Sequence, residues 1–399
     1  MTDVRPAGAL TDEFGAGWEN PSVSDHLREA VVDLDAIAAN TRVLADRAGQ
    51  AGVMAVVKAD GYGHGLVPSA LAAQAGGAGW LGVALLEEAL ELRRSGVRGP
   101  ILAWLVGPGE RWCEAIEADV DLSIGAEWAL EEVRNAAVEA GHTARVQLKI
   151  DTGLGRGGAA RADWIGLVEA ARKAEIDGLV RVVGIWSHLA YADAPGHPTI
   201  DNQLTVFNEA LRDAEVAGLR PDVRHLANSA ATLTRPDTLF DLARPGLSLY
   251  GLSPIPTEAS SAQLGLRPAM SLRARLMLVK RVPAGHGVSY MHQYVTQRAS
   301  TLGVVPLGYA DGIPRNATNV GPLLAAGKRR RVAGTVCMDQ FVVDLEDSPV
   351  AEGDPVILFG AGDEGEPTVD DWARATGTIS YEIMARVGPR VHRRYVGGG

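Results

Sequence analysis

Between residues 53 and 251, short runs of apolar and β-branched residues alternate with longer alanine-rich stretches of helical period. This alternation constrains the fold more than any other feature of the chain. The runs fall at residues 53–57, 80–84, 101–105, 120–124, 145–150, 182–186, 223–226 and 246–250, and residues 126–140 and 205–217 are clear helical segments between them. Strands separated by helices pair in parallel through right-handed crossovers, because a hairpin cannot contain a helix. Eight such units over about 200–250 residues match the count and size of a (β/α)8 barrel of the TIM type. An open doubly wound sheet competes, but no Gly-x-Gly-x-x-Gly follows the first run.

From about residue 266 the pattern changes. Residues 272–280, 287–296, 300–307, 331–345 and Pro355–Phe359 read as strands between Gly, Pro and Asp, and only Val369–Thr376 reads as a helix. The expected division is a tail over residues 1–27, a barrel over 28–265 and a mainly β C-terminal domain over 266–399. The tail is polar and reads as disordered, without the basic start and apolar centre of a signal peptide. Residues 30–34 form a strand ahead of the barrel units. Its partner is not legible from pattern, and the C-terminal domain is a candidate. Gly397, Gly398 and Gly399 read as a frayed end.

The formal net charge of −11 argues against a nucleic-acid or anionic-membrane partner. No stretch approaches 18 consecutive apolar residues, so no membrane-spanning helix is expected. Two cysteines, Cys113 and Cys337, cannot build a disulfide framework, and their rarity fits a reducing, cytoplasmic location. No metal is expected.

In such a barrel, catalytic residues collect at the C-terminal ends of the strands. Lys58 closes the first run. Lys149, Asp151 and Arg156 lie on or after the fifth, and Ser187 and His188 follow the sixth. His225, Asn228 and Ser229 end the seventh, while Arg244, Gly246 and Ser248 flank the eighth. A lysine delivered to the exit of a buried strand has a depressed pKa and a nucleophilic amine, as imine chemistry with a carbonyl cofactor requires. The bland alternative is a strand-end lysine that reaches into water. His188 taken alone is more often a hydrogen-bonded structural histidine. Asn228-Ser229 reads as a helix N-cap, whose free N–H groups also suit a phosphate. Residues 151–157 could be a plain tight turn, yet Arg156 on it is well placed to hold a small carboxylate.

Lys58 and its continuation Ala59-Asp60-Gly61-Tyr62-Gly63-His64-Gly65 closely resemble the cofactor-lysine segment of alanine racemases, which bind pyridoxal 5'-phosphate (PLP). The resemblance runs in order through residues 148–157, 225–231, 243–251, 287–290, 307–315, 337–340 and 381–390. It implies an enzyme that interconverts L-alanine and D-alanine with two bases, Lys58 on the D face and Tyr290 of the other subunit on the L face, supplying D-alanine for peptidoglycan. Lys58 would carry PLP. Tyr62, Ser229, the backbone of Gly246 and Leu247, and Tyr381 would hold its phosphate, with Asn228 beside them. Arg244 would face the pyridine nitrogen, and His188 would link Arg244 towards Tyr290. Arg156 and the backbone N–H of Met338 would hold the substrate carboxylate, with Asp339 adjoining.

Lys149 matches a lysine that is carbamylated in many members of that family. Tyr290, Cys337, Met338 and Asp339 would come from the second subunit of a head-to-tail homodimer. Tyr309, Arg315, Asp193 and Ile379 match positions along the substrate's way in. One departure stands out: Met291 follows Tyr290 where the family usually has glycine, which adds bulk and is expected to remove the freedom to adopt positive φ. Other readings are a racemase of serine or of broader range, a PLP-dependent decarboxylase, or a non-catalytic PLP-binding protein. The last resembles only the barrel half, whereas this chain also carries Tyr290, Met338 and Arg315.

Overall fold

The computed structural model describes residues 26–398, so the tail expected over 1–27 lies almost wholly outside the described residues. Strand β1 (Arg28–Asp33) leads into helix α1 (Leu34–Ala48), which Asp33 caps by accepting the Ala36 N–H at 2.9 Å. The barrel strands are β2 (Gly52–Val56), β3 (Trp80–Val83), β4 (Ile101–Ala103), β5 (Asp121–Ile124), β6 (Ala144–Lys149), β7 (Val180–Trp186), β8 (Val223–His225) and β9 (Leu242–Ala243). They form one sheet of order β8-β7-β6-β5-β4-β3-β2-β9 with parallel pairing throughout. The ring closes between β8 and β9. There the Arg244 N–H donates to the Ala227 carbonyl at 2.9 Å and the Asp241 N–H to the Arg224 carbonyl at 3.0 Å.

The eighth strand is not residues 246–250. It is β9, and Leu247–Tyr250 is a 3-10 helix. Pro245 has no N–H to give a ladder. The N–H groups of Gly246 and Ser248 turn instead to the Ser229 hydroxyl, at 2.8 and 3.4 Å.

Strand alternation sorts side chains into two layers. On β6, Val146 and Leu148 join the main core between strands and helices. Arg145, Gln147 and Lys149 occupy the other face, inside the barrel. A separate cluster of Met54, Leu102, Trp186 and Leu242, with Trp80 and Trp104 against it, fills that interior.

The remaining strands are β10 (Met270–Arg275), β11 (Leu278–Val282), β12 (Gly287–Val288), β13 (Tyr294–Val295), β14 (Ser300–Val305), β15 (Pro322–Ala325), β16 (Lys328–Arg331), β17 (Phe341–Glu346), β18 (Pro355–Phe359) and β19 (His392–Val396). They form a six-stranded sheet of order β16-β15-β18-β10-β1-β19, a three-stranded sheet β11-β14-β17 and a ribbon β12-β13. Strand β1 lies in the six-stranded sheet, antiparallel to β10 and parallel to β19.

Three expected strands are broken. Residues 272–280 divide at the buried Leu276, whose backbone bonds to Asp354 and Gly353 rather than to a neighbouring strand. Residues 287–296 are interrupted where Ser289, Met291 and His292 take positive φ. Within 331–345, a loop around Gly334 (φ +82) separates β16 from β17 and carries Met338. Helix Ser380–Ala385 is too short to show a period, and the charged β19 does not read as a strand. The end expected to fray is tied down as far as Gly398, whose N–H donates to the Asp35 carboxylate at 3.0 Å.

Candidate active site

Lys58 leaves β2 at the barrel mouth and opens a turn of unusual hand. Ala59, Asp60, Gly61 and Tyr62 all have φ between +54° and +60°. Left-handed backbone costs an L-residue roughly 1–2 kcal/mol, so this turn must be held. The Glu88 carboxylate accepts the N–H groups of Ala59, Ala84 and Leu85 at 2.6, 2.9 and 3.0 Å. Asp60 accepts the Leu66 N–H on its side chain and the Gly65 N–H on its carbonyl, both at 2.8 Å. Gly63 (φ +84) backs onto the Met384 carbonyl, where a Cβ would collide. The turn thus seats helix Ser380–Ala385 of the β domain. That contact brings the Tyr62 and Tyr381 rings to 6.1 Å, with Tyr250 at 4.9 Å from Tyr62. Burial raises the Tyr62 phenol well above its ordinary value, so it is a donor at neutral pH.

Behind this turn lies a cradle. Asn228 caps helix Ser229–Thr234 by accepting the Ala231 N–H at 3.1 Å. Ser229 presents its hydroxyl to the Gly246 and Ser248 N–H groups. A Cβ at Gly246 would overlap the Tyr62 hydroxyl, so only glycine lets backbone and phenol converge.

Arg244 follows β9 and is buried, with 4 % of its surface exposed. Its guanidinium bonds His225 Nδ1 at 2.9 Å, the Ser187 carbonyl at 2.7 Å, the Leu226 carbonyl at 3.2 Å and His188 Nδ1 at 3.3 Å. All four partners are neutral groups. Burial pulls the guanidinium down to about 9, and it remains a cation at neutral pH. His188 and His225 are pushed well below the ordinary histidine value by burial and then by Arg244, so both rings are neutral.

The turn after β6 carries Arg156. Asp151 organises it, accepting the N–H groups of Gly153, Leu154 and Gly155 at 2.9, 2.9 and 3.2 Å. Arg156 itself is exposed at the mouth. Lys149 stands over the Trp186 ring at 4.4 Å. Burial, then Arg244 and Arg156, lower its amine to about 8. Burial, then Arg156, also lower Lys58, against Glu88. The His188 ring feels the charge of Arg244, Arg156, Lys149 and Lys58 together. Four basic side chains converge on one rim. Glu88 and Asp151, the carboxylates that act on these lysines, also accept backbone N–H groups.

This donor set fits a phosphorylated aldehyde. The Ser229 hydroxyl, the backbone N–H groups around it and the buried phenol suit a phosphate, the depressed lysine suits a carbonyl, and the excess of basic groups suits added anions.

A second group of expected residues lies apart on the β domain. Ser289, Tyr290, Cys337, Met338 and Asp339 line one open groove. Tyr290 is 70 % and Met291 88 % exposed. Met291 holds φ +59, so the conformation that favours glycine is kept despite the methionine, against the sequence expectation. The Asp339 carboxylate is bonded by Arg390 at 2.7 Å. Tyr309, Arg315 and Ile379 are exposed. Burial, then the Asp193 carboxylate, raise the Tyr381 phenol to about 12, which puts Asp193 near that ring.

Sequence reading missed Glu88, and it missed the buried Asp121 and Gln147 below Arg244. One signal was available: in Ala144–Lys149, arginine, glutamine and lysine alternate along a strand buried on both faces. Gln203 was also missed. It supports His188 from behind, donating to the His188 carbonyl and to Thr152 at 3.0 Å each.

Residues 32–254 match the family described as alanine racemase, N-terminal domain, and residues 269–395 the one described as alanine racemase, C-terminal domain. Among curated relatives, the alanine racemase of Frankia casuarinae is 60% identical over 377 residues, covering 94% of this chain and 98% of the relative. That of Salinispora arenicola is 61% identical over 371 residues, covering 92% and 98%. The crystal structure of alanine racemase from Streptomyces lavendulae superposes with a TM-score of 0.93 at 57% identity, covering 94% of this chain and 98% of that one.

Proposed function

The chain belongs to the alanine racemase family, and from that premise we propose that it interconverts L-alanine and D-alanine with PLP, as a homodimer whose two sites are each completed by the partner subunit. The observation that carries this reading is the convergence of Lys58, Lys149, Arg156 and Arg244 on a rim where, among the described residues, the carboxylates that act on the two lysines, Glu88 and Asp151, are outnumbered. A cofactor phosphate and a substrate carboxylate would supply the missing negative charge.

Lys58 would hold the cofactor through Nζ. Tyr62, Ser229, Asn228, the N–H groups of Gly246 and Leu247, and Tyr381 would hold its phosphate. When bound, PLP supplies an electrophilic carbonyl and an electron sink that makes an amino-acid Cα proton removable. The chain's part is to place two bases. Lys58 Nζ takes the proton on the D face as the amine, the form that burial favours, and returns it as the ammonium. The Tyr290 oxygen takes the proton on the L face as the phenolate and returns it as the phenol. Arg156 and the Met338 N–H hold the carboxylate so that Cα stays between the two bases, with Asp339 beside them.

Arg244 has only donors, so it would face the ring nitrogen as a donor. A nitrogen held in this way would draw less charge into the ring than a protonated one, which would disfavour side reactions. Lys149, with an amine near neutrality, can add to CO2 and lose a proton, and the carbamate so formed would be an anion beside Arg156. Tyr309, Arg315, Asp193 and Ile379 would line the way in.

Support for the shared site comes from Tyr290 and Met291, which are exposed on the isolated chain. No helix among the described residues is long and apolar enough to cross a membrane. D-Alanine made in the cytoplasm would feed peptidoglycan synthesis. The test is to incubate the purified protein and PLP with each alanine enantiomer and resolve the products by chiral chromatography. Both directions should proceed, and Lys58→Ala should stop both. Lack of interconversion, or persistence in Lys58→Ala, would overturn the reading. Serine as the faster substrate would favour the broader-range alternative.

A further inference from the structure

Below Arg244 a line of buried polar groups crosses the barrel interior. Arg145 Nε donates to Asp121 Oδ1 at 2.6 Å. Gln147 Nε2 donates to Asp121 Oδ2 at 2.7 Å. Gln147 Oε1 lies 2.6 Å from His225 Nε2, and His225 Nδ1 lies 2.9 Å from Arg244 Nη1. Gln147 is on β6 and His225 on β8, so the amide must pass the strand between them. It can do so because β7 carries Gly184 at the crossing, where a Cβ would sit 2.7 Å from Gln147 Oε1.

Only one arrangement of hydrogens satisfies this line. Arginine has only donors and a carboxylate only acceptors. Asp121 therefore takes the Gln147 NH2, which turns the Gln147 carbonyl to His225. The histidine must then carry its proton on Nε2, leaving the Nδ1 lone pair for Arg244. Stacking on Trp186, 5.7 Å away and 9° from parallel, fixes the ring plane. Trp186 is held in turn by its Nε1–H bond to Ser123 at 3.0 Å. Burial raises the Asp121 carboxyl, while Arg145 and the Gln147 amide oppose that. The 2.6 Å contact with Arg145 favours the carboxylate form.

We propose that Asp121 and Gln147 are positioning residues: the Asp121 carboxylate, read through the Gln147 amide across Gly184, locks His225 in its Nε2–H tautomer, so that Nδ1 accepts from Arg244 and holds the guanidinium in place at the barrel mouth. A remote carboxylate thereby orients Arg244 without pairing with it, and its charge stays available to the cofactor ring. The kinetic part of this inference rests on the racemase reading. The tautomer part does not.

Asp121→Asn is the decisive substitution because it reverses the line. Arg145 requires the oxygen of the introduced amide, so the NH2 of that amide faces Gln147. Gln147 turns over and offers its NH2 to His225 Nε2. The ring proton moves to Nδ1, against an Arg244 N–H. Asp121→Leu cuts the line without imposing a direction, and Arg145 still has Asp119 at 3.6 Å. In the double variant Asp121→Asn with Gln147→Glu, the introduced carboxylate accepts from both sides and restores the original order.

The experiment is two-bond proton–nitrogen NMR of histidine-labelled holoenzyme, with kcat and KM measured in parallel. Wild-type His225 should show Nε2–H. Asp121→Asn should show Nδ1–H or a displaced ring, with kcat down about tenfold or more, the usual loss when an orienting partner is removed, and KM for alanine nearly unchanged. Asp121→Leu should be the milder variant, and the double variant should recover both tautomer and kcat. An Nδ1–H or doubly protonated His225 in the wild type overturns the proposal without any variant. So does an Asp121→Asn enzyme that loses rate while keeping Nε2–H, or one no worse than Asp121→Leu. Absence of racemisation with the expected tautomers would defeat the functional reading and leave the lock standing.

Discussion

Lys58 stays reactive because burial, and then the Arg156 cation, make its ammonium form costly, with Glu88 opposing. The sign of a substitution follows. Arg156→Gln removes a neighbouring cation, so the Lys58 pKa rises and the amine is neutral only at higher pH. The pH at which PLP capture by Lys58 reaches half its maximal rate should therefore move upward, as read from absorbance. An unmoved or lowered midpoint would show that Arg156 does not act on the amine. Met291 poses a different residue-scale question. Its left-handed backbone costs roughly 1–2 kcal/mol, and glycine there would gain that but lose about 0.5–1 kcal/mol through a freer unfolded chain. The intrachain effects of Met291→Gly thus leave a net gain of at most about 1.5 kcal/mol. Any large change must come from what the exposed thioether meets in the assembly. We expect the variant to lose stability increasingly as the protein is diluted. A loss that is independent of concentration would place Met291 in the substrate pocket or in intrachain packing instead.

At the scale of elements, the turn 58–62 is a strained piece held by its neighbours. Glu88 at the start of helix Leu86–Arg94 is its main clamp, with one oxygen on Ala59 and the other on Ala84 and Leu85. Glu88→Gln keeps the shape but presents an NH2 on one side. At least one N–H loses its carboxylate acceptor at a site water can reach, which costs about 0.5–1.5 kcal/mol. Denaturant unfolding should register that loss. PLP should also dissociate faster, since the turn carries both Lys58 and Tyr62. A variant as stable as the wild type would mean that packing of Tyr62 against Tyr250 and Tyr381 holds the turn alone.

At the scale of the whole molecule, β1 and the C-terminal strands share one sheet, and helix Ser380–Ala385 presses on the Lys58 turn. The β domain is thus anchored to the barrel of its own chain, while the Tyr290 groove faces outward. If that groove completes a partner's site, Lys58→Ala and Tyr290→Phe chains are each inactive yet complementary. Equal mixing under exchange gives half heterodimers with one intact site of two, so about a quarter of wild-type activity should return. No recovery despite confirmed exchange would mean that each site is built within one subunit.

The period of the barrel strands, the lysine at the exit of the first, and the rim positions of Arg156, His188, Ser229 and Arg244 were legible in the chain, because strand alternation and strand-end chemistry are local properties. The helix at Val369–Thr376 was legible for the same reason. What depended on contacts across the molecule was not. The eighth strand gave way to a 3-10 helix because Ser229, seventeen positions earlier, captures the Gly246 N–H. Strand β1 found its partners at residues 270–274 and 392–396, separations that no local pattern encodes. The tautomer of His225 hangs on a carboxylate two links away, reached only because Gly184 leaves room for an amide to cross. Local periodicity fixes which residues face inward, but the order in which inward-facing groups meet is a property of the closed barrel.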